Sequence, residues 1–348
     1  MTTLFCLLLS GTAHFGLAQD SGSEQSGVDS LFSVTGQFLG YCNNLEYFNR
    51  YREGILHLGA STNLALSYQP VDELSFSLGV YLRKAFGDED FMTDIRPVFQ
   101  AMYSRGGYRL IIGKLLSENQ HGMIDAIITE QFDYEQGLEE GLQFLFTDDW
   151  LRLDLWAASN LLETREHREH LDVGLNVETD LGKISFSGMT LWDHYGGQQY
   201  EIEDDPIRDN ITGSVGVDFL QKTALGVDGI GCRIHFLASA TTNDRGEDSM
   251  RTGQGFFIRP YITFFDFTAS FQFYHGRQYT TWRGNPLYQA NDPYYYLEMK
   301  RNRTFGRDIS FDRGVRLDFV EIDPGDYFDH TEHQFWIRLQ TAIDHTLF

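Results

Sequence analysis

Apolar and polar residues take turns along most of this chain. Leu56, Leu58, Ala60, Thr62, Leu64 and Leu66 alternate with His57, Gly59, Ser61, Asn63 and Ser67. Leu74, Phe76, Leu78, Val80 and Leu82 alternate with Ser75, Ser77, Gly79, Tyr81 and Arg83. The same period recurs at Leu171, Val173, Leu175 and Val177, and again at Phe256, Ile258, Ile262 and Phe264. A period of two sends successive side chains to opposite faces, so each segment predicts a strand with one apolar and one polar face.

The links between these segments also alternate. Tight links fall near 70–73, 105–107, 147–149, 180–182, 222–228 and 265–266, and longer polar links at 87–93, 118–136, 162–168, 197–209, 242–253 and 278–292. Turns at one end and loops at the other predict an all-β fold, a closed antiparallel transmembrane β-barrel of about sixteen strands, or about fourteen if 294–303 is not a strand. Closure follows from the solvent. A sheet edge in hydrocarbon leaves N–H and C=O groups unpaired, so strands cross a bilayer only as a cylinder.

Composition removes other classes. The chain has 348 residues, and its formal net charge of −23 excludes a nucleic-acid binder working through a basic surface. Its 28 Phe, 18 Tyr and 5 Trp are ample material for burial, which argues against disorder. No stretch is long and apolar enough for a membrane helix. At the N-terminus an apolar run, Leu4 to Leu9, precedes Gly16-Leu17-Ala18, the small-x-small spacing read by signal peptidase. The expected organisation is a signal peptide over 1–18, a short periplasmic segment over 19–30 and a barrel over 31–348. Cys42 and Cys232 fall on the apolar parity of distant strands, which predicts two lipid-facing free thiols.

Aromatic residues Tyr47, Phe48, Trp192, Tyr195, Tyr294, Tyr295 and Tyr296 stand near strand ends, where interfacial girdles are expected. The chain closes on a strand ending in Phe348. With the alternation and the export signal, this resembles the outer-membrane β-barrel proteins of Gram-negative bacteria, most like general and substrate-specific porins. The apolar positions Phe335, Ile337, Leu339 and Ile343 have the opposite parity to Phe348, which predicts a bulge or an atypical terminal signal.

The resemblance implies outer-membrane lipid and lipopolysaccharide as surroundings, the barrel-assembly machinery as a partner, and a homo-oligomer as one arrangement. It implies passive diffusion of small hydrophilic solutes or ions. Two alternatives are an exopolysaccharide export barrel and a plugged structural or adhesive barrel. In sixteen-stranded porins the loop between the fifth and sixth strands folds inward. Here that loop carries Glu118, Asp125, Glu130, Asp133 and Glu135, facing wall residues Arg83, Arg96, Arg259 and Arg338 of lumen parity. Acids opposite arginines set a transverse field across a constriction.

Other chemistry is sparse. His167 with His170, and His330 with His333, sit three apart at loop edges, a spacing that splits across a strand and reads as solvated loop. The acidic run 201–205, with Asp209, offers oxygen ligands to divalent cations or bridges to lipopolysaccharide phosphates; no other metal or cofactor is expected. The chain holds no G-x-S-x-G, H-E-x-x-H or phosphate loop, which predicts a protein that is not an enzyme.

Overall fold

A computed structural model describes residues 31–117, 120–197, 199–200, 205–223, 227–291, 293–306, 308–320 and 332–347. The signal peptide, the 19–30 segment, Glu118, His330 and Phe348 lie outside them, as do 201–204 of the acidic run.

The alternating segments form sixteen strands, each bonded to its chain neighbours, with the first closing on the last. They are β1 (Phe32–Phe48), β2 (Glu53–Val71), β3 (Leu74–Ala85), β4 (Asp94–Arg105), β5 (Tyr108–Lys114) and β6 (Glu140–Thr147). Next come β7 (Leu151–Leu161), β8 (Glu169–Asp180), β9 (Ile184–Gly196), β10 (Arg208–Lys222) and β11 (Gly229–Thr242). The last are β12 (Arg251–Phe264), β13 (Phe267–Arg277), β14 (Tyr294–Phe305), β15 (Ile309–Phe319) and β16 (Glu332–Thr346). All pairings are antiparallel, so β1 starts and β16 ends at the rim that carries the tight turns. The fold is a closed transmembrane-type β-barrel, and in outer-membrane barrels the rim of tight turns is the periplasmic one.

The register sorts the faces. Tyr81 pairs with Arg96 and Arg83 with Asp94, all pointing into the lumen. Their neighbours point out: Leu78 keeps 67% of its surface exposed, Ile95 61%, Val215 62% and Phe236 62%, which makes a lipid-facing band. Cys42 and Cys232 belong to that outward parity and are both free.

Three expectations change. The aromatic residues do not form a single girdle. Tyr47, Tyr294 and Tyr296 are buried in the lumen, because their parity is that of Asn43 and Gln272 rather than of Phe48. The last strand needs no bulge, since β16 pairs with β1 in unbroken register from Glu46 opposite His333 to Ser33 opposite Thr346. The link after β13 is not a loop lying outside. It turns inward and becomes part of the core.

That core fills the outer half of the lumen and is built from two inserted loops. L3 (115–139) joins β5 to β6 and carries a short helix, α1 (Gln131–Glu135). L7 (278–293) joins β13 to β14 and carries a 3-10 turn at Pro286–Gln289, whose first amides are capped by the Asn285 side chain accepting from Leu287. Ala126 of L3 packs with Tyr279, Leu287 and Tyr288 of L7 against Leu45, Tyr47, Leu237, Phe257, Tyr274, Tyr294 and Tyr296 of the wall. Met123, Ile127 and Ile128 pack against Trp156, Ala158, Met189 and Leu191. Backbone bonds join the loops directly: Asn285 donates to the Asp125 carbonyl at 2.7 Å and Thr129 to the Arg283 carbonyl at 2.8 Å.

Candidate functional site

The residues expected at a constriction meet on L3. Arg83 donates to the Tyr134 carbonyl at 3.1 Å and Arg96 to the Gln136 carbonyl at 2.6 Å, so these two cations satisfy acceptors left over at the end of α1. Asp125 pairs with Arg316 at 3.0 Å and Arg259 at 3.5 Å, and accepts from the Tyr288 hydroxyl at 2.8 Å. Burial alone raises the Asp125 pKa, but the two guanidinium groups outweigh it and hold it below the usual carboxylate range. Glu130 lies 3.3 Å from Arg338, and Glu135 lies 3.0 Å from His57 Nε2. Asp133 faces none of the four arginines directly; Gln120 donates to it at 2.5 Å.

Pattern alone did not single out Arg316. It donates to Asp318, Asp125 and the Tyr294 hydroxyl, and lies 3.8 Å over the Tyr296 ring. His121 was missed as well. Its Nδ1 lies 3.0 Å from Asp154, its Nε2 3.1 Å from Glu139, and its ring is stacked on Trp156. A Cβ at Gly174 would fall 2.1 Å from Trp156, so glycine there makes room for the indole.

Beneath L3 lies a cavity of about 350 Å³, reached by Gln37, Ser61, Asn63, Lys114, Gln136 and Gln340. Apolar side chains line it too, among them Leu115, Ile128, Phe132 and Leu138.

A second cluster stands on the outside of the wall. Trp192 and His194 of β9 and Asp209 of β10 share the lipid-facing parity at the outer rim, with His194 directly opposite Asp209. The Asp209 carboxylate accepts from Trp192 Nε1 at 2.9 Å, holds His194 Nδ1 at 2.8 Å and receives Arg245 Nε at 2.9 Å. It is buried, while Arg245 is half exposed. A carboxylate only accepts, so His194 Nδ1 carries a proton, and in the neutral ring Nε2 presents the lone pair. That nitrogen lies over Gly196, where a Cβ would fall 2.0 Å away, so only glycine leaves the space. Beside Asp209 a recess of about 210 Å³ is lined by Trp192, Ile211, Thr242, Arg245, Asp248 and Met250.

Three other histidines are placed differently. Both His121 nitrogens are engaged by carboxylates. His235 Nδ1 meets Ser214 Oγ at 2.9 Å, but among the described residues no carboxylate orients that ring. His170 is not solvated loop, as its spacing from His167 suggested; it is the second residue of β8, pointing inward and buried against Tyr195.

The family profile of lipid A 3′-O-deacylase-type proteins matches residues 24–347. The chain belongs to that family. The expectation of a non-enzymatic protein is therefore corrected. Motif windows are short, whereas a barrel assembles chemistry across neighbouring strands: His194 and Asp209 are a direct cross-strand pair that no local pattern records. No curated protein matches the deacylase-type chain in sequence. Solved structures share its fold at low identity. OprD of Pseudomonas aeruginosa is 10% identical with a TM-score of 0.55, covering 93% of this chain and 97% of its own. OmpT of Vibrio cholerae is 10% identical at 0.55, covering 92% and 99%. OmpF of Salmonella typhi is 11% identical at 0.51, covering 90% and 97%.

Proposed function

We propose that this barrel hydrolyses an acyl ester of lipid A in the outer leaflet, using the outward dyad of His194 and Asp209. The observation that carries the reading is the His194 Nδ1–Asp209 pair on the lipid-facing wall at the outer rim, in a chain of the deacylase-type family. A glycolipid's sugar-proximal esters sit where headgroups meet acyl chains, at the height of this cluster. Such a substrate reaches the site laterally and has no need to enter the lumen.

The chemistry follows from the geometry. His194 Nε2 takes a proton from water, and the hydroxide formed attacks the ester carbonyl carbon. Asp209 stabilises the imidazolium and keeps the ring in its tautomer. Collapse of the tetrahedral intermediate breaks the bond to the sugar oxygen, which takes the proton back from Nε2. The products are a fatty acid and a free sugar hydroxyl. Arg245, half exposed beside the dyad, supplies a cation for a phosphate group of the substrate.

The test is mass spectrometry of lipid A from a Gram-negative host expressing the protein. The wild type should remove one acyl chain, and His194→Gln and Asp209→Asn, still migrating as folded barrels, should remove none. Intact lipid A with the wild type overturns the activity; full activity in both variants moves it to another site.

A second reading, passive diffusion of small hydrophilic solutes, is supported by the cavity beneath L3 and by the arginines and acids around that loop. Planar-bilayer conductance tests it. A silent wild type would set it aside.

A further inference from the structure

Inside the barrel, away from the outward dyad, three donors converge where L7 meets β8 and β9. His170 Nε2 lies 2.9 Å from Asp193 Oδ1 and 3.5 Å from Asp172 Oδ1. These ligand atoms all lie within 4.8 Å of one another, and all three side chains are buried. We propose that they form a binding site for a divalent transition ion of the Zn²⁺ class.

The spacing supports this. Zn²⁺ bonds of ~2.0–2.1 Å in a tetrahedral site put neighbouring ligand atoms about 3.3 Å apart. The two separations from Nε2 bracket that value. Asp172 Oδ1 has no hydrogen-bond partner although Asp172 is only 2% exposed, so a buried acceptor is aimed into the gap unsatisfied.

The carboxylates are already divided into two faces. Their Oδ2 atoms are held from behind: Asp172 Oδ2 accepts from Asn160 Nδ2 at 2.7 Å and from Arg283 Nη2, and Asp193 Oδ2 lies 3.9 Å from Arg283 Nε. Their Oδ1 atoms turn toward His170. Outer partners that fix the orientation of ligating carboxylates are what a metal site needs beyond its ligands. The His170 ring is likewise set, 4.0 Å from Tyr195 and 11° from parallel.

The donor set chooses the ion. An imidazole with two carboxylates suits Zn²⁺ and its first-row neighbours, whereas Ca²⁺ takes six to eight oxygens and Mg²⁺ a near-ideal octahedron of them. Three protein ligands leave a fourth vertex for water or a solute oxygen, as in sites that keep an open position. Arg283 belongs to L7, so the ion would share its carboxylates with the residue that docks this loop on the wall.

Titration of the metal-free, detergent-folded barrel with Co²⁺ and Zn²⁺ tests the proposal. One Co²⁺ per chain with the intense visible bands of a tetrahedral site is expected, displaced by Zn²⁺ and lost in Asp193→Asn and His170→Gln. If those variants do not fold, anomalous diffraction from Zn²⁺-soaked wild-type crystals decides between a peak beside His170 Nε2 and none there. No stoichiometric Co²⁺ binding by the wild type, or binding unchanged in folded variants, overturns the site.

Discussion

The His121 imidazole lies flat on Trp156, with ring centroids 3.8 Å apart and planes 5° from parallel. Asp154 and Glu139 clamp it in that plane. L3 is thereby fixed to β7 through one cationic ring between an indole and two carboxylates. Removing the ring leaves the buried Asp154 carboxylate with only the Gln143 amide, and breaking such a buried pair costs about 3–5 kcal/mol. His121→Ala should lower the denaturant midpoint of the folded barrel accordingly, and Trp156→Phe by less.

The same ring sets a pH limit. Burial lowers the His121 pKa, but the bonds to Asp154 and Glu139 outweigh it and raise it from 6.5 to about 9. A raised base favours the folded form fully below 6.5 and ceases to do so as pH climbs through about 9. Protease cleavage within L3 should rise across that alkaline window in the wild type. In His121→Gln it should be insensitive to pH there.

Asp133 works in the opposite sense for a carboxyl. Burial raises its pKa from 3.8 to about 6, against the opposing hydrogen bond from Gln120. The folded form then holds the proton more tightly, so its advantage is complete below 3.8 and disappears as pH rises through about 6. Above that, the charged carboxylate weakens L3 docking. Asp133→Asn should stabilise L3 at neutral pH and change nothing near pH 3.5, read by thermal melting at both values.

Deleting 122–129 removes Met123, Ala126, Ile127 and Ile128, the apolar anchors of L3. Single-channel conductance should rise. Replacing Arg83 and Arg96 by Ser removes two cations from the wall and frees the carbonyls that end α1, so selectivity should shift toward cations. Traces identical to wild type in both variants would contradict this account of the lumen.

Cysteine placed at Asp248, on the loop rim, should react with an impermeant maleimide on whole cells, and at Glu73, in a tight turn, should not. Cys42 and Cys232, free and on the outward face of β1 and β11, should give no shift between reduced and non-reduced gels.

Much of the barrel was legible because burial on one face forces a period of two, which fixes each residue's side once a strand is recognised. Link lengths disclosed the alternation of rims, and parity put Arg83 and Arg96 on the lumen wall, whereas the inward fold of the loop with Asp125 and Glu130 was implied only by the resemblance to porins. The inward turn of L7 left no such mark. Its Tyr279, Leu287 and Tyr288 are spaced without period and are buried by L3, a partner about 150 residues away in sequence. The dyad was hidden for a related reason. His194 and Asp209 carry the parity of lipid-facing residues, and only the register places them opposite one another.

One feature of the wall bears on the membrane around it. β2 runs for 19 residues, whereas β5 has 7 and β6 has 8, because the chain leaves the wall early to enter the lumen as L3. At ~3.3 Å per residue and a tilt near 45°, the shortest strand reaches only about 16 Å along the bilayer normal, well under the ~25 Å apolar band of such barrels. The cylinder is cut obliquely, low on the side of β5 and β6 and high on the side of β1 and β2. Lipids beside the low side must shorten their span or the barrel must lean, so the bilayer does not meet this wall at one height all the way round.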